Sequence, residues 1–336
     1  MRDKTMARNN RRRFLQYASI APLAAALPAY ANTNNFPVKP IKIVVGFSAG
    51  GTTDALPRLF ATQMSRILGQ TIVVENKPGA AGNIATAQVA RSSPDGYTLL
   101  ASSIGQITVS PHTMSMSVDP QKDLEHISMF GEGDQFLTIN KQVPATNIQE
   151  FIALAKSKPH TMFYGDSGAG GNMHLYLEYF RMLAKLDIDA VHFKGGSQIM
   201  PDLISNRVQL SLLSNIVMNS HAKDGSLRPI LLYGKKRDPN YPDVPTVREA
   251  GLPDLETASN WFGLHAPKGT PRNITDKIYG ALLEALKTKE VREGLVTLGI
   301  TAGGDTPEAF SQRIAKESET FRKVAELTKI VPGSTT

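Results

Sequence analysis

The chain has 336 residues and not one cysteine. No disulfide can staple the fold, although an oxidising compartment is tolerated. Histidines number seven and show no H-E-x-x-H or similar spacing, so no structural metal is expected. A G-x-x-x-x-G-K phosphate loop is missing too, and with no other cofactor signature the expectation is that none is bound. The longest apolar run, Ala18 to Leu27, falls well short of the roughly 20 residues a membrane-spanning helix needs. No internal repeat and no low-complexity segment is evident.

Positive charge is plentiful at first sight, with a net charge of +7. Its location changes the meaning. Arg2, Lys4, Arg8, Arg11, Arg12 and Arg13 stand against Asp3 before residue 31, so five of the seven net charges sit there. About +2 is left for the rest, which argues against nucleic-acid binding. The same segment reads as an export signal. Arg11-Arg12-Arg13-Phe14-Leu15 fits the twin-arginine pattern, an apolar run follows, and Ala29-Tyr30-Ala31 fits an A-x-A cleavage site. Residues 1–31 are therefore expected to be removed during export to the periplasm. About 305 residues follow, enough for two domains.

Beyond the leader, apolar β-rich runs alternate with helical patterns. Strands are expected at 41–46, 71–75, 97–102, 127–131, 135–140, 162–165, 190–193, 208–213, 229–233 and 259–265. Runs such as Ile43-Val44-Val45 and Ile72-Val73-Val74 suit strands buried on both faces. Helices are expected at 54–68, 82–91, 147–157, 172–185, 197–205, 215–223, 271–287, 289–298 and 307–327. In the first, Leu56, Leu59, Phe60, Met64, Ile67 and Leu68 recur at helical spacing and Gly69 stops the run. Alternation of this kind argues for an α/β fold. Pro332 to Thr336 read as a frayed tail.

Two chemistries compete for residues 46–54. Gly46-Phe47-Ser48-Ala49-Gly50 spells the G-x-S-x-G nucleophile elbow. A strand, a glycine turn and a helix start also make a cradle of backbone N–H groups for an anion. A hydrolase would need strands and an H-G-G-G loop upstream, yet only 16 residues separate the cleavage site from Ser48, and no H-G-G-G occurs. The cradle is the stronger reading, with hydrolysis through Ser48 kept as the alternative. Gly165-Asp166-Ser167-Gly168 imitates a protease serine motif, but the histidine motif and disulfides that accompany it are missing. Read instead as a strand end, a loop containing Gly168, Gly170 and Gly171, and a helix starting near Asn172, it is either a plain loop or a second cradle.

Other candidates have two readings each. Asp54 serves as the N-cap of the helix at 54–68 or meets an amino group of a ligand. Lys194 is a solvated lysine or pairs with a carboxylate. Trp261, the only tryptophan, is core or walls a cleft.

The segments Phe36 to Val45, Ala49-Gly50-Gly51-Thr52-Thr53-Asp54, Val74 to Ile84, Pro94 to Leu100, Lys194-Gly195-Gly196, Pro242 to Pro253 and Trp261 to Leu264 together resemble the Bug (TctC-like) extracytoplasmic solute receptors of tripartite tricarboxylate transporters. The likeness runs through the whole chain after the leader. It implies a type 2 periplasmic binding protein without catalytic activity, two lobes that close like a Venus flytrap, each a mixed sheet flanked by helices. It implies a first lobe of residues 36–135 and 262–331, a second lobe of 136–261, and a tail at 332–336. The implied ligand is a small carboxylate, a di- or tricarboxylate or an aromatic acid, taken up through membrane transporter subunits by a monomeric receptor, or sensed for a membrane signalling protein. By position, the first-lobe grip falls on Phe47, Ser48, Ala49, Gly50, Gly51, Thr52, Thr53 and Asp54, with Ser102 and Ser103 at a strand end. The second-lobe grip falls on Ser167, Gly168, Ala169, Gly170, Gly171, Asn172, Lys194, Gly195, Gly196 and Asn215, and Trp261 lies between the lobes.

The chain departs from the pattern at several places. Gly46 replaces a proline, which is expected to loosen the first turn. Ala169, Gly171 and Asn172 replace polar residues, Ser214 replaces an aspartate, and Asp166 adds a carboxylate where serine is usual. Together these are expected to strip side-chain hydrogen bonds from the second lobe.

Overall fold

A computed structural model describes residues 35–257 and 260–333, leaving aside the side chains of Asn215, Ile216, Ser220 and Thr257. The expected leader at 1–31 and residues 334–336 of the expected tail lie outside the described residues.

The elements in order are β1 (Ile41–Val45), α1 (Thr52–Leu68), β2 (Ile72–Asn76), α2 (Asn83–Ala90), β3 (Thr98–Ser103), a π-helical turn at Gly105–Val109, α3 (Ser110–Thr113), β4 (Leu124–Gly133) and β5 (Gln135–Asn140). Next come α4 (Ile148–Ser157), β6 (Phe163–Asp166), α5 (Asn172–Ala184), β7 (Asp189–His192), α6 (Gly196–Ile204), β8 (Leu210–Ser214), α7 (Asn215–Lys223) and β9 (Leu227–Tyr233). The chain ends with β10 (Trp261–Pro267), α8 (Arg272–Lys287), α9 (Lys289–Thr297), β11 (Ile300–Ala302) and α10 (Pro307–Thr328).

These strands form two mixed sheets. One has the order β11-β4-β10-β3-β1-β2 and the other β7-β6-β8-β5-β9. Each contains a parallel trio, β2-β1-β3 in one and β7-β6-β8 in the other. Beside each trio lies an antiparallel strand that has just crossed from the opposite sheet. β5 enters the second sheet between β8 and β9, and β10 returns to the first between β3 and β4. Only Asp134 separates β4 from β5. The two sheets therefore share one plan, in which the turn from β1 to α1 corresponds to the turn from β6 to α5.

Strand alternation divides the first sheet's core. Ile43, Val45, Leu99 and Ala101 face α1, α8 and α9, while Val44 and Leu100 face the other way. That second face runs into the apolar core of the second sheet through Ile104, Ile107, Tyr176, Phe310 and Phe321. Helix α10 packs on β4 and the π-helical turn of the first sheet and also on α5 of the second. It is a strap shared by both lobes.

Sequence periodicity anticipated ten strands and nine helices within a few residues of where they lie. It did not anticipate β11, the π-helical turn or α3. No helix among the described residues is long and apolar enough to cross a membrane.

Candidate ligand-binding site

The first grip is built by the turn from β1 to α1. Gly50 takes a positive φ of 87°, which a side chain would resist, and Gly51 is the extended N-cap residue with no side-chain cap. Asp54 was expected to be the N-cap. It lies inside the helix, in the first turn, and works from behind. Its carboxylate accepts from Gly50 N–H (3.0 Å), Arg58 Nε (2.8 Å) and Asn76 Nδ2 (2.9 Å). Burial would raise this carboxyl, but the hydrogen bonds from Arg58, Gly50 and Asn76 outweigh it and hold it below the usual carboxylate range. All of its contacts are internal, so it shapes the turn. Gly46 does not loosen the turn either. A Cβ there would sit 2.6 Å from Gly82 Cα and 2.8 Å from Gly82 O, so glycine is required by a close backbone approach.

The second grip is the corresponding turn from β6 to α5. Gly168 and Gly170 have φ of 132° and 72°, and Gly171 is the extended N-cap residue, again with no side-chain cap. Asp166 is fully buried and holds this loop, accepting from Gly168 N–H (2.7 Å) and pairing with His192 Nδ1 (2.8 Å). Gly170 N–H donates to His174 Nδ1 (2.9 Å), which requires an unprotonated nitrogen there. Burial pushes His174 below the ordinary histidine range, while the bond to Asp166 pushes His192 above it. Asp166 therefore adds hydrogen bonds to the second lobe where the sequence suggested a loss. Asp166, His174 and His192 place potential metal-ligand atoms within 4.8 Å of one another. Asp166, His192 Nδ1 and His174 Nδ1 are already engaged by the bonds just described.

Helix α6 opens the same way, with Gly195 as an N-cap residue and no side-chain cap. Across the cleft, a Cβ on Gly195 would lie 3.5 Å from Ser48 N, so the two jaws are in contact. Ser197 Oγ donates to Ala49 O (3.2 Å), Thr113 Oγ1 to Gly170 O (2.5 Å), and the hydroxyls of Thr52 and Ser214 lie 2.6 Å apart. Helix α7 begins at Asn215, whose side chain lies outside the described part.

These turns enclose a narrow cavity of about 70 Å³. At roughly 10–15 Å³ per water-sized occupant, it has room for a short, compact ligand. Of the expected site residues, Phe47, Ser48, Gly51, Thr52, Thr53, Ser103, Ser167, Asn172 and Gly196 line it. Ala49, Gly50, Gly168, Ala169, Gly170, Gly171 and Gly195 belong to the same turns without lining it. Ser102 points elsewhere, hydrogen-bonded to His265 Nε2 at 2.7 Å. Lys194 is exposed to solvent, away from the cavity wall. Trp261 is core. It is fully buried, donates to Glu317 (2.5 Å) and packs edge-on against Phe310.

Gln135, Met173, Leu212, Leu213, Val217, Asn260 and Phe262 also line the cavity and were not singled out from sequence, and Ser214, noted there only as the replacement of an aspartate, lines it as well. Strand alternation offered a clue for two of them. If Trp261 turns inward to the core, its neighbours Asn260 and Phe262 face the opposite side. Among the described lining residues there is no Lys, Arg, Asp, Glu or His. Ser48 thus has no histidine base beside it. The short serine–histidine pairs, Ser102 with His265 and Ser318 with His112, lie elsewhere.

The arrangement is that of a solute receptor, and the comparisons agree. The family described as tripartite tricarboxylate transporter family receptor (TctC) matches residues 56–327. The "UPF0065 protein in gbd 5′ region" of Cupriavidus necator is 36% identical over 94% of this chain and 97% of its own. Among solved structures, Rpa4515 of R. palustris with adipate is 32% identical with a TM-score of 0.84, covering 88% of this chain and 99% of that one. MatC (Rpa3494) from Rhodopseudomonas palustris with bound malate is 30% identical with a TM-score of 0.82, covering 86% and 99%. The chain is not that of an enzyme; it belongs to the TctC family of tripartite tricarboxylate transporter receptors.

Proposed function

We propose that this protein is a periplasmic receptor that captures a small carboxylate between its two lobes and delivers it to membrane transporter subunits. The observation that carries the reading is the convergence of three uncapped helix N-termini on one cavity. Away from the cavity, α4, α9 and α10 satisfy their N-termini with the side chains of Asn147, Thr288 and Thr306, while α2, α3 and α8 have no side-chain cap. Helices α1, α5 and α6 open beside the cavity from Gly51, Gly171 and Gly195, with no side-chain cap. Each leaves free N–H donors at the positive end of a helix dipole, which favours an anion. With no lysine or arginine among the described lining residues, neutral donors hold that anion, these N–H groups together with side chains such as Ser48, Thr53 and Ser167. That the solved relatives hold adipate and malate supports the same chemistry.

In this reading the grip falls on Phe47, Ser48, Gly51, Thr52 and Thr53 from one lobe and on Ser167, Asn172 and Gly196 from the other. The lobes meet at Asp134 and before Trp261. The receptor acts as a monomer, exported by the twin-arginine route. A thermal-shift screen of di- and tricarboxylates, aromatic acids, sugars and amines tests the reading, because a ligand that binds only the folded state raises the midpoint by mass action. Short di- or tricarboxylates are expected to raise it. Shifts from sugars or amines, with none from any carboxylate, would overturn the proposal.

A further inference from the structure

The turn from β1 to α1 is held at both ends by one side chain from another strand. Asn76, the last residue of β2, pairs with Val45 in the parallel ladder and is absent from the cavity wall. Its Nδ2 donates to Phe47 O (3.0 Å) and to Asp54 Oδ1 (2.9 Å), and its Oδ1 accepts from Arg58 Nη2 (2.7 Å). A guanidinium only donates, so Arg58 fixes which end of the amide is oxygen and leaves both of its N–H protons for the turn. Phe47 O lies at the start of the turn, and Asp54 holds its end by accepting from Gly50 N–H (3.0 Å).

The bond to Phe47 O also sets the next amide. The peptide from Phe47 to Ser48 is trans, so its C=O and N–H point in opposite directions. With the carbonyl drawn to Asn76, outside the cavity, the Ser48 N–H is turned the other way, to the side on which Ser48 lines the cavity and faces Gly195. No described residue accepts from that N–H. Ser48 precedes α1, so this donor is additional to those of the helix start. A flipped peptide would set a carbonyl oxygen against an anion in place of a donor.

We infer that Asn76 is a positioning residue for ligand binding: without touching the ligand, it holds Phe47 O outward and so aims the Ser48 N–H at the ligand's carboxylate. This rests on the carboxylate reading above. The position needs asparagine. Aspartate has the same shape but no proton for Phe47 O or Asp54, and it would set one carboxylate against another. Alanine leaves Phe47 O unheld.

Isothermal titration of the full mature chain with malate, succinate, adipate, citrate and benzoate identifies the tightest binder, which is then titrated into Asn76→Ala and Asn76→Asp. Both variants are expected to bind it at least tenfold more weakly, with circular dichroism and melting midpoint reporting that each folds. A purely structural role would not single out one amide, so amide-resolved NMR supplies the second readout. In the parent the Ser48 amide should shift on titration. In the folded variants, at saturating ligand, that shift should fall by half or more while those at Met173 and Gly196 in the second lobe persist. If Ser48 does not shift in the parent, or both variants bind within threefold of it, the role of Asn76 is overturned while the carboxylate reading stands. If the parent binds none of the five acids, both are overturned together.

Discussion

The hydroxyls of Thr52 and Ser214 lie 2.6 Å apart and join the first turn of α1 to the end of β8, so a buried hydrogen bond links the two lobes at the cavity wall. Opening the cleft returns both groups to water. Removing one hydroxyl therefore penalises only the closed state, where the other is left buried and unpaired, at about 1–3 kcal/mol. Thr52→Val and Ser214→Ala should each weaken ligand affinity by roughly 5- to 100-fold. The double variant should lose less than the sum, because no orphan remains. A double-mutant cycle by isothermal titration measures this, and unchanged affinity in both single variants would contradict it.

Gly46 makes a separate prediction about stability. A Cβ there meets the backbone of Gly82, which no rotamer change relieves. Gly46→Ala should cost about 1–3 kcal/mol and lower the melting midpoint by several degrees. Gly225→Ala is the control, because a Cβ at that position meets nothing and only its positive φ of 75° resists. It should cost about 1 kcal/mol. Equal midpoints for the two variants would show that the Gly46–Gly82 approach does not constrain the turn.

The crossing from β4 to β5 should be sensitive to pH. Crowding by the surrounding protein, with Asp238 and Glu132 nearby, pushes the Asp134 carboxyl up to about 6, although the residue keeps an exposed surface and solvent screens much of the effect on stability. The folded state then holds this proton more tightly than the unfolded chain, so the contribution of Asp134 to stability falls as pH rises from about 4 to 6 and stays lost above that. His126, pushed down to about 4 by burial, acts with the opposite slope over an overlapping range, and only a comparison of variants separates the two. Asp134→Asn should melt higher than the parent at pH 7 and match it near pH 4. A variant that melts lower at pH 7 would contradict this.

Ligand binding should weaken in acid through the second grip. His174 Nδ1 accepts from Gly170 N–H, and protonation turns that acceptor into a second donor. The groups facing it are Asp166, Glu178, His192, Arg181 and the ring of Tyr164. Because burial lowers its pKa, the penalty grows as pH falls below about 6.5, the ordinary histidine value. Affinity measured from pH 8 to pH 4.5 should drop in the parent and drop less in His174→Gln, which keeps a non-titrating acceptor. Parallel profiles would exclude His174 as the cause.

Much of this architecture is written in local pattern. Alternation in Ile43-Val44-Val45 and the helical stripe from Leu56 to Leu68 located β1 and α1 because each buries a continuous apolar face. The glycine turns were legible for the same reason, since positive φ at Gly50, Gly168 and Gly170 leaves a compositional mark. What escaped notice depends on tertiary contact. β11 has three residues and exists only by pairing with β4. Asp54 looked like a helix cap; its bonds from Gly50 and Arg58 are local, but the one from Asn76, which comes from β2, is not legible in the turn's own sequence. Lys194 attracted attention by charge, yet the cavity wall is uncharged. Gln135 and Asn260 stood unmarked because their meaning comes from the crossings between the two sheets.

Backbone N–H groups at helix N-termini, not side-chain cations, are expected to hold the ligand's carboxylate. Amide-resolved NMR titration of the mature protein with the tightest-binding carboxylate tests it directly. The largest amide shifts are expected at Thr52, Thr53, Met173 and Gly196, at the starts of α1, α5 and α6. Small shifts at these amides, with the main changes around Lys194 or another lysine or arginine, would contradict it.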